Sequence, residues 1–304
     1  MRDRLWVFGR RVLGRKGAFL LRNLVAELNF ILGSYEDPRP KPFGVSAMVC
    51  TYNEEDWVVE SMLSAKDLVD EFVVVDSSTD RTPELVLSLR DEGLNVRLYR
   101  VPPGDMSATR YLAVKEAKYR WVLQLDADFI FFDWAPKYLR EFIEGLDERK
   151  HYLIYWPWIL ICGDLKHLCS EEPYHIEHWL FTKSDRLMYR NLIIHNQVRD
   201  HLIAPLRLYK VKYIEKPLGL HLCVRRRLSR HAMKLLWSFN AEEVRELREK
   251  GMTYEEYVRI KARKIYGTDD LELIGRKLVE EMIAKLPPYR GELPSVLKGK
   301  SLDY

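Results

Sequence analysis

The alternation of short apolar segments with helical ones between residues 45 and 128 constrains the fold more than any other feature of the chain. The apolar segments predict strands over residues 45–50, 72–75, 96–101 and 121–125. Strands that alternate with helices form right-handed crossovers, and such crossovers leave the strands parallel in one sheet. We therefore predict an α/β fold in which helices cover both faces of a mostly parallel, Rossmann-like sheet.

Polar residues follow these strands at the points where the strands are expected to end. Thr51, Tyr52, Asn53 and Glu54 come after the first strand, Asp76 and Ser78 after the second, and Asp126 and Asp128 after the fourth. The carboxyl ends of parallel strands meet at one edge of a sheet, and open α/β sheets bind their ligands at this edge. We therefore expect these residues to line one binding site.

Asp126 and Asp128 lie one residue apart at the end of the apolar run that starts at Trp121. Unpaired carboxylates are costly to bury, so both are expected to meet a cation, a ligand or water. Their hard oxygen ligands suit Mg²⁺ or Mn²⁺. No glycine-rich phosphate loop follows the first strand, which makes a metal-bound diphosphate the expected ligand.

Residues 51–55, 74–80 and 110–128 carry three motifs in the order and spacing that are typical of one enzyme family. Over residues 45–132 the chain resembles the glycosyltransferases of family 2, which have the GT-A fold. The resemblance implies an enzyme that moves a sugar from a UDP- or GDP-sugar to a hydroxyl group of a glycan or lipid-linked acceptor. It also implies a divalent metal and an inverting single displacement.

The same resemblance implies roles for individual residues. The residues implied to contact the nucleotide-sugar donor are Thr51, Tyr52, Asn53, Glu54, Asp76, Ser78, Arg110 and Asp126. The residues implied to bind the metal are Asp126, Asp128 and His221. A hydrogen-bonded structural imidazole is an equal alternative for His221.

The catalytic base is not identified by the family pattern, because Asn196 replaces the carboxylate that often follows a histidine in such enzymes. The base should lie on the acceptor side of the site, across from the metal. We favour Asp200 and Glu172 over the other candidates, which are Asp164, Glu171 and Glu177.

Three regions differ in composition. Residues 1–43 combine an amphipathic, basic helical arm with a proline-rich linker, residues 44–222 hold the GT-A domain, and residues 223–304 form a helical C-terminal extension. Further strands over 152–160, 175–181 and 186–198 are expected to complete the sheet. Arginine and lysine strongly outnumber acidic residues in the arm, which is predicted either to lie on an anionic membrane surface or to pack on its own domain.

The remaining features bear on compartment and partners. The chain has no long uninterrupted apolar run, so we expect no membrane span, and no recognition motif supports nucleic-acid binding. Cys50, Cys162, Cys169 and Cys223 form no CxxC pair, and we favour free thiols over a bond between Cys162 and Cys169. These features predict a cytoplasmic protein, with peripheral contact at the cytoplasmic face of a membrane as a second option.

Two other functions remain open. A sugar-phosphate nucleotidyltransferase has a similar sheet and an acidic metal site, but it usually carries a glycine-rich loop where this chain has residues 51–54. A non-catalytic protein that retains the GT-A fold is the third hypothesis, and the presence of both Asp126 and Asp128 disfavours it.

Overall fold

A mixed β-sheet lies at the centre of the chain, whose computed structural model describes residues 2–103, 105–170, 174–194, 197–237, 241–300 and 302. The helices are α1 (Arg2–Ile31), α2 (Val58–Ser64), α3 (Thr82–Ser88), α4 (Met106–Glu116), α5 (Ala135–Glu144), α6 (Leu228–Leu236), α7 (Ala241–Lys250), α8 (Tyr254–Tyr266) and α9 (Leu271–Ile283). The strands are β1 (Val45–Thr51), β2 (Glu71–Asp76), β3 (Val96–Arg100), β4 (Trp121–Gln124), β5 (Phe129–Phe131), β6 (His151–Ile161), β7 (Tyr174–Thr182), β8 (Met188–Ile194), β9 (Gln197–Ile203), β10 (Tyr209–Tyr213) and β11 (Gly219–Leu222).

Nine of the strands in the described part of the chain form one sheet, in the order β3-β2-β1-β4-β7-β6-β11-β5, with β10 paired to β6. The first four strands in this order are parallel, which confirms the predicted α/β fold. Strand β7 then enters antiparallel to both β4 and β6. Thr51 pairs with Asp76 where β1 and β2 end, so the polar residues after neighbouring strands lie side by side.

The strand predicted over residues 186–198 does not complete this sheet, and that part of the prediction is wrong. Strands β8 and β9 pair with each other in a separate antiparallel ribbon. The position beside β4 is not available to them, because β1 and β7 occupy its two sides. The ribbon lies over one face of the sheet instead, where Tyr189 and Leu202 join the apolar cluster that includes Met48.

Side chains of β1 alternate between two apolar clusters, one on each face of the sheet. Val45, Ala47 and Val49 join residues of α2, α3 and α5 in one cluster. Met48 and Cys50 join residues of α4 and the ribbon in the other. All of β1 is buried, so helices and ribbon together leave the carboxyl edge of the sheet as the place where polar groups meet a ligand.

Helix α1 packs against its own domain, which is one of the two predicted alternatives. Arg22 donates from Nε to the carbonyl oxygen of Tyr209 at 3.1 Å, and the Asn23 amide donates to the carbonyl oxygen of Val211 at 3.1 Å as well. Glu27 forms an ion pair with Lys210 at 2.6 Å. These contacts attach the face of α1 that carries Arg22 to strand β10.

The opposite face of α1 is apolar and exposed. It carries Leu20, Leu21, Leu24, Leu28 and Ile31, and Leu32 follows directly after the helix. None of the described helices has the combination of length and apolar character that is needed to cross a membrane.

Helices α6, α8 and α9 of the C-terminal extension pack on one another. Ala232 of α6, Val258 of α8 and Ile274 of α9 belong to one apolar cluster. Helix α9 approaches α6 so closely that a Cβ added at Gly275 would lie 2.1 Å from the carbonyl oxygen of Leu228. This packing fixes α6, which begins just after the basic residues 225–227.

Cys162 and Cys169 are joined by a disulfide bond, with their Cα atoms 4.9 Å apart. The backbone N–H of Cys162 donates to His167, and that of Cys169 donates to Leu160, so the chain turns back after β6 and brings the two side chains together. The prediction of free thiols is therefore wrong for this pair, whereas Cys50 and Cys223 are free. Cysteine usage consequently no longer supports a reducing compartment.

Candidate active site

Asp76 organises the polar residues that follow β1 and β2. Its buried carboxylate accepts hydrogen bonds from the hydroxyl groups of Thr51 at 2.6 Å and Ser78 at 2.5 Å. Arg100 of β3 forms an ion pair with the same carboxylate at 2.5 Å. Asp76 thus joins three strand ends at the carboxyl edge of the sheet, and its contact with a nucleotide base stays a prediction.

Asn53 shapes the loop after β1. Its φ of 57° lies in the left-handed region, which asparagine tolerates better than most residues. The backbone N–H donates to the hydroxyl of Ser78 at 2.7 Å, and the side-chain Oδ1 accepts from the N–H of Thr79 at 2.8 Å. The neighbouring Tyr52 ring lies 6.4 Å from that of Tyr254 on α8, so the C-terminal extension reaches this loop.

Arg110, on α4, joins two carboxylates that are distant in the sequence. Its Nη2 lies 2.9 Å from Oδ1 of Asp126, and its Nε lies 2.5 Å from Oδ2 of Asp200. Burial raises the pKa of Asp126, and the positive charge of Arg110 offsets only part of that effect. The structure therefore brings Asp126, which is predicted to contact the nucleotide sugar, and Asp200, a predicted catalytic base, into one cluster.

Asp128 lies between β4 and β5 with three basic side chains around its carboxylate. Nζ of Lys234 is 3.1 Å from Oδ2, a nitrogen of Arg225 is 3.6 Å from the same oxygen, and Nε2 of His221 is 3.6 Å from Oδ1. Burial alone would raise the pKa of Asp128, but the charges of Lys234, His221 and Arg225 hold it well below its usual range. The residue is only 7% exposed, so this carboxylate is less accessible than the sequence suggested.

The residues that sequence reasoning missed are the basic ones after β11. Arg225 forms an ion pair with Glu54 at 2.9 Å, and Arg230 lies 2.9 Å from both Glu55 and Asp80. Burial raises the pKa of Glu54, and Arg225 counteracts this only in part. The sequence signal that could have identified them was the arginine run at 225–227 with Arg230, because its positive charge is complementary to that of the acidic residues after β1.

Asp128 and His221 together fit a divalent ion. They offer an oxygen and a nitrogen donor, a set that suits Mn²⁺ or Mg²⁺ once the imidazole has lost its proton, since burial alone would lower the pKa of His221 but Asp128 raises it to about 10. The ammonium group of Lys234 lies 3.1 Å from the same carboxylate, so an ion at this site would have to displace it. Asp126 does not complete a three-ligand group among the described residues, and its Oδ1 contacts Arg110. The group of three candidate ligands whose donor atoms lie within 4.8 Å of one another in the described part of the chain is Cys162, Cys169 and Cys223, but the first two are joined by a disulfide bond and therefore offer no thiolates.

The residues predicted as catalytic bases lie in different parts of the structure. Asp200 and Glu177 line one cavity between α1 and the β8–β9 ribbon. Asp164 accepts a hydrogen bond from the backbone N–H of Lys166 at 2.7 Å and is separate from that cavity. Glu171 and Glu172 lie outside the described residues. Asp200 is therefore the predicted base that the structure places beside Asp126, through Arg110.

Residues 46–216 match the family model described as Glycosyl transferase family 2, and this match spans more than half of the 304 residues. The chain belongs to glycosyl transferase family 2. Membership confirms the predicted family and, with the observed sheet, the GT-A fold. It also makes the chain a glycosyltransferase by family, rather than a nucleotidyltransferase.

Similar solved structures are only distantly related. Residues 1-349 of S. aureus TarS are 17% identical, with 79% of this chain and 71% of that chain covered and a TM-score of 0.43. The same protein in complex with UDP-GlcNAc is 18% identical, with 73% of each chain covered and a TM-score of 0.40. Glucosyl-3-phosphoglycerate synthase from Mycobacterium tuberculosis, in complex with phosphoglyceric acid, is 20% identical over 38% of this chain and 44% of that chain, with a TM-score of 0.30. Likenesses this weak add nothing to the family assignment, and no curated protein matches the chain.

Proposed function

We propose that this glycosyltransferase takes a sugar from a nucleoside-diphosphate sugar and transfers it, with a divalent metal and with inversion, to an acceptor that bears a hydroxyl group. The observation that carries the proposal is the environment of Asp128, whose carboxylate has Lys234, His221 and Arg225 within 3.6 Å. Lys234 and Arg225 at this edge of the parallel sheet are suited to the phosphate oxygens of a diphosphate, and the Asp128 carboxylate offers an oxygen ligand to a metal ion that would displace Lys234 from it.

The nucleoside of the donor is proposed to bind beside the loops after β1 and β2. Thr51, Asn53 and Ser78 are already fixed there by hydrogen bonds to Asp76 or to one another. A loop that is ordered before its ligand binds loses less conformational entropy on binding. Tyr52 and Glu54 belong to the same loop, and Arg110 with Asp126 lies at the end of the neighbouring strand β4.

The diphosphate is proposed to bind at Asp128. When bound, the metal would supply Lewis-acid stabilisation of the departing nucleoside diphosphate. Asp128 and His221 would hold that ion, with Asp126 as the further predicted ligand. Arg225 and Lys234 would then face phosphate oxygens, because they already lie beside the carboxylate that the ion would bind.

Asp200 is the proposed base for the acceptor hydroxyl. It lines the cavity between α1 and the β8–β9 ribbon and is linked to Asp126 through Arg110. A carboxylate in this position would take the hydroxyl proton as the oxygen attacks the anomeric carbon. Glu172 stays a second candidate, outside the described residues.

The exposed apolar face of α1 is proposed to lie on an anionic membrane. Its leucine residues face away from the domain, and Lys16 is exposed on the same helix. Interfacial helices bind in this way, with apolar side chains at the acyl boundary and basic residues at the head groups. A lipid-linked acceptor would be delivered from that surface, and the cytoplasmic face is the predicted side.

Calorimetric titration tests the donor proposal. UDP and GDP are titrated into the protein with Mn²⁺ and again with excess chelator, and the Asp128→Asn variant is titrated in parallel. We expect one nucleotide to bind in the presence of metal, with chelator and the Asp128→Asn substitution each weakening binding at least tenfold. Equal binding in all three conditions would remove the metal assignment, and no nucleotide binding by the folded protein would favour a non-catalytic scaffold.

A further inference from the structure

A cavity of about 990 Å³ lies between α1 and the β8–β9 ribbon, on the acceptor side of the proposed site. It reaches Gln124 at the end of β4 and Asp200 on β9. Asp200 contacts Arg110, which in turn contacts Asp126. The cavity therefore opens towards the residues proposed to catalyse the transfer, and its volume is large enough for more than a single sugar.

The charges on the cavity walls are strongly unbalanced. The basic residues that line it are Arg15, Arg22, Arg190, Arg199, His201 and Arg207. The acidic lining residues are Glu177 and Asp200, and Asp200 already forms an ion pair with Arg110 at 2.5 Å. A cavity with this excess of guanidinium groups attracts anions.

Three of these arginine side chains form no ion pair or hydrogen bond within the described part of the chain. Arg22 is different, because it is buried and donates to the carbonyl oxygens of Tyr209 and Ala204. The three are Arg15, Arg190 and Arg207, whose side chains are exposed. They come from three separate segments, namely α1, β8 and the turn before β10, yet they line the same cavity.

The register of the ribbon adds a second observation. Arg190 lies directly opposite His201 in the β8–β9 pairing. Both side chains line the cavity, so the pairing of β8 with β9 places two basic residues next to each other in its wall.

We propose that this cavity binds the acceptor and that the acceptor carries a phosphate group, which Arg15, Arg190 and Arg207 recognise. Guanidinium groups form paired hydrogen bonds with phosphate oxygens, and three of them supply enough charge to offset a phosphate ester. Phe19, Tyr155 and Leu202 also line the cavity, so the ligand has an apolar or sugar portion next to its charged one. Helix α1 is then a wall of the acceptor site, held in place by Arg22.

This inference rests on the proposed transfer reaction only where it identifies the phosphate-bearing ligand as the acceptor. The phosphate site itself can be tested without nucleotide or metal. Three probes are titrated by calorimetry: glycerol, glycerol 3-phosphate and the short-chain lipid dioctanoyl phosphatidic acid, which carries the same phosphate ester on an apolar body. The protein variants are the wild type, Arg190→Gln with Arg207→Gln, and Arg276→Gln. Arg276 is an exposed residue of α9 that does not line the cavity, so it controls for the loss of positive charge.

We expect the phosphate-bearing probes to bind the wild type and the Arg276→Gln variant, glycerol not to bind, and the double variant to bind phosphate at least tenfold more weakly. Tighter binding of the lipid than of glycerol 3-phosphate assigns the phosphate to a lipid acceptor. Equal binding of the two assigns it to a water-soluble phosphate ester. An unchanged affinity in the double variant, or an equal loss in Arg276→Gln, overturns the proposal.

Nucleotide binding in the same variants separates this proposal from the transfer reaction. UDP and GDP with Mn²⁺ should bind the double variant within twofold of the wild type, because Arg190 and Arg207 line the cavity and the loops after β1 and β2 do not. Loss of phosphate binding with retained nucleotide binding supports both proposals. Retained phosphate binding without any nucleotide binding contradicts the donor assignment alone.

Discussion

Nζ of Lys234 lies 3.1 Å from Oδ2 of Asp128, so a side chain of the C-terminal extension supplies positive charge where the GT-A sheet is expected to bind a metal ion. The contact joins α6 to the acidic end of β4 across 106 residues of sequence. A divalent ion and this ammonium group cannot both stay against the same oxygen without repulsion. If the proposed metal ion binds at Asp128, we expect Lys234 to move away from this oxygen.

Replacing Lys234 tests this competition. We expect Lys234→Met to bind Mn²⁺ about threefold to tenfold more tightly in the absence of nucleotide, because a competing cation worth roughly 1 kcal/mol is removed. The free Mn²⁺ concentration is measured by electron paramagnetic resonance during titration. Lys277→Met is the matched control, since Lys277 is exposed on α9 and pairs with Glu281 at 3.9 Å, far from Asp128 in the sequence. Weaker Mn²⁺ binding in Lys234→Met would contradict the competition.

Asp128→Asn should reduce transfer by about 100-fold or more, because metal stabilisation of the leaving group is worth several kcal/mol. The structure also predicts a loss of stability, since the substitution leaves the positive charges of Lys234, His221 and Arg225 without their carboxylate. Activity and thermal unfolding are measured on the same preparation. Wild-type turnover in a variant with a lowered melting temperature would leave Asp128 with a structural role only.

Asp200 and Glu177 can be separated as bases, because both line the acceptor cavity and Asp200 also contacts Arg110. We expect Asp200→Asn to lower kcat by about 10²-fold to 10⁴-fold, the range typical of a lost general base. Glu177→Gln should stay within about threefold of the wild type. Initial rates are measured across pH with saturating donor, and the opposite pattern in the two variants would assign the base to Glu177.

Two buried histidines predict a loss of stability in mild acid. Burial lowers the pKa of His151 and that of His231 to about 4, from an ordinary value of 6.5. The unfolded chain therefore takes up protons first, so the stability is fully present above about pH 6.5 and falls as the pH drops towards 4. Each histidine contributes up to about 3 kcal/mol to this loss.

Denaturant unfolding at about pH 7.5, 6 and 5 measures the effect. His231 is the better residue to replace, because neither ring nitrogen has a hydrogen-bond partner among the described residues. We expect His231→Leu to flatten the pH dependence. An identical slope in the variant and the wild type would show that His231 is not buried in its neutral form.

The exposed face of α1 can be changed without disturbing the fold. Leu24→Glu with Leu28→Glu places two negative charges on an exposed apolar surface, and we expect it to weaken flotation with anionic liposomes severalfold while the melting temperature is retained. Deletion of the arm is a poorer test, because Arg22 and Asn23 bond to β10. Unchanged flotation of the double variant would leave α1 as a packing element and a wall of the cavity.

The sequence by itself determined the parallel half of the sheet and the residues at its edge. Apolar segments of strand length that alternate with helices are buried when the helices cover both faces of a parallel sheet. The polar residues that follow each strand then meet at the carboxyl ends of the strands. From this local logic we predict that Thr51, Asp76, Asp126 and Asp128 line one edge of the sheet, and the structure adds that Thr51 pairs with Asp76. The same local logic also identified the family, because the three motifs lie in the continuous stretch that forms these strands.

The tertiary structure decided what these residues touch. Lys234 and Arg225 reach Asp128, and Arg110 reaches Asp200, through contacts between segments that are far apart in the chain, and no periodicity in the sequence encodes such distances. The β8–β9 ribbon is separate from the sheet, and β7 is paired with β4 on the side that β1 leaves open. Cys162 lies next to Cys169 because the chain turns back after β6. Pairing partners and charge neighbours depend on how whole elements pack, so only the folded chain could show them.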